Sequence, residues 1–152
     1  MAGQVFDIHF YDDDRTIMEF TGMRNRIHDP HDCLETTGIF MQRETEKNVE
    51  GQHDPFGGAW EPLKDSTIER KVRKWFIGLC ANPYRILEET RALYDSINYE
   101  VLGKTVAIGT WIPDYPDAHQ WGNGHVPQRQ FLGIGDDAAQ GILDIVGAYV
   151  RP

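Results

Sequence analysis

Residues 126–133 read Val-Pro-Gln-Arg-Gln-Phe-Leu-Gly, and no other stretch restricts the fold of this chain as tightly. Pro127 fixes one backbone angle, Arg129 offers a rigid fork of donors, and Phe131-Leu132 want burial before Gly133 lets the chain turn. His119-Gln120-Trp121-Gly122 lie just upstream, and a helix-patterned segment follows to residue 152. The stretch reads as a fixed, partner-facing corner, not as the wall of a catalytic pocket.

The balance of charge narrows what such a corner meets. Over 152 residues the formal net charge is −9, whereas gripping nucleic acid requires clustered Lys and Arg. A surface of that sign suits solubility, or repulsion of nucleic acid passing nearby. At this length one domain spanning 1–152 is expected, with enough buried surface to hold a core without staples. Cys33 and Cys80 are far apart and form no CxxC pair, which fits synthesis in a reducing cytoplasm. No apolar run approaches the ~20 residues of a membrane span. Met1-Ala2-Gly3-Gln4 lacks the charged and apolar regions of a signal peptide.

Hydrophobic periodicity places the elements. Val5-Phe6-Asp7-Ile8-His9-Phe10 alternates and reads as a short strand. Asp12-Asp13-Asp14 opens a helix carrying Ile17, Phe20, Met23 or Arg24, and Ile27 as a partial apolar face, with its acids against the positive end of the dipole. Asp29-Pro30 is a start signal for a second helix, with Asp29 as cap and a thin stripe of Leu34, Thr37, Gly38, Met41 and Thr45. That helix is expected to end between Asn48 and Gly51. Two prolines and two glycines make Gln52–Ser66 a loop, which Phe56, Trp60 and Leu63 pin to the body or to a partner. Asp65 or Ser66 caps a third helix with Ile68, Val72, Trp75, Phe76 and Leu79 on one face, stopped by Asn82-Pro83.

Residues 86–94 are ambiguous between helix and extended chain. Ile97–Ile108 reads as a β-hairpin turning at Gly103, Pro113–Trp121 holds a short helical piece, and Gln130–Ile134 is read as a final strand. Asp136 caps a last helix striped by Ala139, Ile142, Leu143, Val146, Tyr149 and Val150. The expected class is α+β: N-terminal helices packed on a small antiparallel sheet, with a C-terminal helix.

Four ordered motifs carry a resemblance. The first is Asp54-Pro55-Phe56-Gly57-Gly58-Ala59-Trp60-Glu61-Pro62-Leu63 with Thr67 and Lys71. Ile86-Leu87, Thr90, Leu93 and Ser96-Ile97 form the second. The third is Val106-Ala107-Ile108-Gly109-Thr110 with Tyr115, His119-Gln120 and Gly122. Val126-Pro127, Arg129, Phe131-Leu132-Gly133 and the terminal helix complete the set. From about Phe40 to Val150 the chain resembles the phage virion morphogenesis (tail completion) family of Mu-like and P2-like tailed phages. The first forty residues match it poorly.

The resemblance implies a structural protein of the tail end or neck, located in the virion and, during assembly, in the host cytoplasm. It implies a ring, usually six-fold, that caps the tail tube and joins it to the head connector. Expected partners are tail tube or sheath proteins, connector or neck proteins, and DNA passing through a channel without specific binding. No membrane, cofactor or enzymatic activity is expected. A ring needs two different patches that fit each other. Phe56, Trp60 and Leu63 with His119, Gln120, Arg129 and Phe131 are the candidates, since aromatic residues and Arg dominate interface energetics.

Competing readings are weaker. His28 and His31 are close, but no zinc-ligand spacing is present. His119 with Asp114 or Asp117 leaves a hydrolase alternative, although no nucleophile stands out and hydrogen bonding of His119 and Gln120 to backbone at a tight turn explains them better. Gly133-Ile134-Gly135 precedes a helix, but Asp136 and Asp137 would repel a phosphate there. Arg70, Lys71, Arg73 and Lys74 are candidates for contact with DNA or an acidic partner, with a solvated helix face as the plainer reading.

Overall fold

A computed structural model describes residues 14–112 and 115–151. The expected strand at 5–10, the acids Asp12 and Asp13, and Asp114 lie outside the described residues. The elements run α1 (Asp14–His28), α2 (His31–Gly51), α3 (Asp65–Phe76), α4 (Ala92–Asp95), β1 (Ile97–Leu102), β2 (Thr105–Thr110), α5 (Tyr115–Trp121) and α6 (Asp136–Val150). The class is α+β, as the sequence indicates.

Helix α2 is the spine, with the sheet and α6 both packed on it. Cys33, Thr37, Gly38, Met41, Thr45, Asn48 and Val49 are its buried residues. These small side chains let neighbours approach closely. At Gly38 a Cβ would collide with the ring of Tyr99, whose hydroxyl donates to Glu35 at 2.8 Å. The β1–β2 hairpin pairs Ile97 with Thr110 and Leu102 with Thr105, and turns through Gly103 at φ 63°. Val49, Trp60, Ile86, Leu87, Leu93, Ile97 and Phe131 form the core, gathered at the C-terminal end of α2.

Local chemistry departs from the expected elements in four places. The caps are absent: α2, α3 and α6 start after Pro30, Lys64 and Gly135 with no side-chain hydrogen bond. Asp32, Asp65, Asp136 and Asp137 sit inside the first turns instead, where they meet the helix dipole. Helix α3 stops at Phe76, ahead of Asn82-Pro83, because Gly78 takes φ 73° and the Leu79 amide folds back to the Lys74 carbonyl.

Residues 86–91 are neither helix nor strand. Leu87 adopts φ 60°, an uncommon conformation for a large side chain, and is buried in the core. Gln130–Ile134 forms no strand. Its backbone is held by side chains, which also determine what this segment presents at the surface.

Candidate assembly surface

Two loops cross over the end of α2 and staple each other. The Trp60 indole N–H donates to the Gln130 carbonyl at 2.9 Å, and Asn48 Nδ2 donates to the Phe131 carbonyl at 3.1 Å. Gln120 does the work of a missing neighbour strand. Its Oε1 accepts from the amides of Phe131 (3.2 Å) and Leu132 (3.1 Å), and its Nε2 donates to the Leu132 carbonyl (2.7 Å). Arg129 places Nε and Nη2 on the Glu61 carbonyl at 3.3 and 3.1 Å, and its own amide donates to the His119 carbonyl. Gly135 lets this strap pass the backbone of Pro55, where a Cβ would overlap the Pro55 carbonyl oxygen.

The partner-facing corner is therefore, for most of its residues, an inward-facing one. Phe131 is 0% exposed, Trp60, Gln120 and Arg129 are each 7% exposed, and Leu63 packs half-buried on the core. The cost of leaving these groups wet is already met inside one copy. Two of the five guanidinium donors of Arg129 rest on a carbonyl of the other loop, 68 residues away, so the side chain is turned inward. Phe56 is different: Asp54 Oδ1 accepts from the amides of Phe56 and Gly58, and this turn holds the ring outward at 68% exposure. It borders a cavity of about 320 Å³ shared with Glu44, His53, Asp136 and Asp137.

His119 is half-buried between α5 and the strap. Burial pushes its imidazole down to about 4, and the nearby Arg129 cation adds to the shift. A base that weak, with a cation for a neighbour, is poorly matched to proton abstraction near neutrality. Asp117 is exposed. Among the described residues no group of three or more His, Cys, Asp or Glu is placed to hold a metal ion.

The basic run on α3 does not form one cationic face. Lys71 is buried, with its ammonium on the Arg85 carbonyl at 2.5 Å. Burial lowers its pKa, against the opposing pull of Cys80 and Glu89. Arg70 and Lys74 both bind Glu89. Burial resists ionisation of Glu89, but the hydrogen bonds from Lys74 and Arg70 outweigh it and hold the carboxyl below its usual range. Of the four cations only Arg73 points to solvent without appearing in one of these pairs.

The surface that the sequence reading missed lies at the other end of α3. Phe76 is 76% exposed and Trp75 50%, with Ile77, Leu79 and Tyr84 exposed beside them. Trp75 and Phe76 meet edge to face at 5.3 Å, and a cavity of about 340 Å³ runs between them and Ala81–Tyr84. The signal was present in the order of residues. Successive residues turn by ~100° on a helix, so Trp75-Phe76-Ile77 cannot all face one core.

A family model described as the phage virion morphogenesis family matches residues 13–151. The chain belongs to that family. The match covers α1 through α6, so it takes in residues 13–40, which the motif-based resemblance left out. No curated protein and no solved structure matches the chain. Membership in the virion morphogenesis family carries a role in building the phage particle. For this family member, among the described residues, no helix is long and apolar enough to cross a membrane.

Proposed function

We propose that this chain is the ring-forming subunit that terminates the phage tail tube and joins it to the head connector, acting by geometry and not by catalysis. The observation that carries this reading is the uncovered apolar surface of one copy, above all Trp75, Phe76 and Tyr84 around a single cavity, with Ile77 and Leu79 exposed beside them. A soluble chain of net charge −9 that leaves such a patch open has the composition of an interface hot spot. Phe56 offers a second patch in a different part of the sequence. Two unlike patches suit head-to-tail contact, which closes into a ring when the rotation permits.

Electron microscopy of particles carrying a labelled subunit tests the reading. Label at the head-proximal end of the tail, with unjoined heads and tails when the chain is missing, is the expected result. Label within the capsid shell or at the distal tail tip would overturn it. Neither the paired cations of α3 nor the low basicity of His119 favours a DNA-gripping or hydrolytic alternative.

A further inference from the structure

Among the described residues the sheet has two strands, and β2 has no partner on its outer edge. On the side of β2 away from β1, an apolar channel of about 280 Å³ runs between Val106 and Ile108 on one wall and Leu132, Ile134 and Ile142 on the other. Its floor is Thr37, Met41 and Thr45 of α2, one residue per turn. Both threonine hydroxyls donate back to their own helix, to the carbonyls of Cys33 and Met41, so their methyl groups remain to line the channel. The far wall belongs to the extended 130–134 segment, which Gln120 and Asn48 hold apart from β2.

The volume is nearly twice the ~150 Å³ of a cavity that takes a benzene ring, so it has room for more than one apolar side chain. Strand β2, Thr105-Val-Ala-Ile-Gly-Thr110, carries no charge and no proline. Natural proteins guard an open strand edge with such residues, so this edge is built to be covered.

We propose that residues Val5–Phe10 of a second copy occupy this channel as the missing strand, paired to the outer edge of β2. The inference rests on the ring reading above and specifies its contact. In an extended segment Phe6, Ile8 and Phe10 share one face, leaving Asp7 and His9 on the other, so an apolar edge matches an apolar channel.

The ring reading assigns the strand to a neighbour, because each copy must then hold the next. Helix α1 packs against α6 and does not lie along α2. Its ties are near its C-terminal end, where Arg26 donates to the Val150 carbonyl and Asp29, just beyond it, accepts from Tyr149. With ~1.5 Å of rise per residue, its 15 residues place Asp14 about 22 Å along the helix. Ile17, Met18 and Phe20 are exposed along that length. An arm so placed gives its strand to one copy while its own channel accepts another's. Arm and channel are different surfaces, so the exchange runs head to tail.

Thiol crosslinking of the full-length chain decides the matter. Two differently tagged forms, one with Ile8→Cys and the other with Ile134→Cys, are co-expressed, assembled into particles and treated with a short bismaleimide. The native Cys33 and Cys80 are buried and do not compete. The expected product is a covalent dimer carrying both tags. Absence of that dimer, or, in a chain carrying both Ile8→Cys and Ile134→Cys, crosslinking only within single chains, overturns the proposal. Ile8→Asp in the full chain is expected to weaken self-association by roughly tenfold or more, because it places a carboxylate in the channel. Val5→Asp, on the other face, is expected to leave association unchanged. Equal effects of the two overturn the facing assigned here. A mixed-tag dimer in particles whose label lies away from the tail end keeps the strand exchange and rejects the terminator role.

Discussion

Gln120 is the residue on which the strap most depends. It satisfies two amides and one carbonyl of Phe131–Leu132 that a neighbouring strand would otherwise take up. Gln120→Ala removes all three partners at once. A buried polar group left unsatisfied costs about 1–3 kcal/mol, so the urea midpoint of this variant is expected to fall by at least that equivalent. An unchanged midpoint would mean that water reaches these groups freely. His119, one residue earlier, makes stability depend on pH. Its folded pKa of about 4 lies below the ordinary histidine value of 6.5, so between those values the unfolded chain binds a proton that the folded chain refuses. Stability is therefore complete above about 6.5 and is lost as pH falls toward 4. Glu89 adds to the same trend at lower pH, since a depressed carboxyl stabilises only while ionised. Thermal melts across that window are expected to slope downward with acid, and less steeply in His119→Gln. Identical slopes would remove His119 as the cause.

At the scale of elements, α3 divides into two halves with separate tasks. Its inner side buries Lys71 and ties Arg70 and Lys74 to Glu89, which fixes the 80–91 segment to the helix. Its last turn carries Trp75 and Phe76 into solvent. The double variant Trp75→Ser, Phe76→Ser is expected to fold with stability close to wild type, since exposed positions usually change it by no more than about 0.5 kcal/mol each. It is also expected to fail in joining heads to tails. A large drop in melting temperature would place these rings in the core, and normal yields of joined particles would remove them from the interface. Helix α6 shows the same division: Ala138 is buried, and Gly141 meets the ring of Phe40, while Leu143 and Val146 remain exposed. Periodicity located both helices, although α3 ends at Phe76, but a stripe of apolar residues does not state whether its cover comes from the same chain.

For the whole molecule the governing quantity is charge. A ring of subunits at −9 each around a DNA passage is expected to repel the phosphate backbone, so purified assemblies should retain no DNA even at low salt. Tight retention that weakens steeply with added salt would show a basic lumen and contradict this. The pairing of α3 cations with Glu89 leaves little positive charge to form one. The α+β class, the β1–β2 hairpin, the spans of α2 and α6, and the breakers around Gln52–Ser66 were legible in the sequence, because each follows from periodicity or from Gly and Pro within a short window. The strap was not legible as such. Its extended shape could be read, but its partners Asn48, Trp60 and Glu61 lie 68 to 83 residues away in sequence.

From sequence alone came the family resemblance, the mixture of elements and the inventory of costly side chains: Trp60, Arg129, Phe131, Phe56, Trp75 and Phe76. All depend on residue type and local spacing, which the chain states directly. Tertiary structure alone decided which of these costs one copy meets for itself. Trp60, Arg129 and Phe131 are covered by segments about 60 to 80 residues away in sequence, whereas Phe56, Trp75 and Phe76 stay exposed. Burial is a property of where segments meet in space, and no local pattern encodes that meeting.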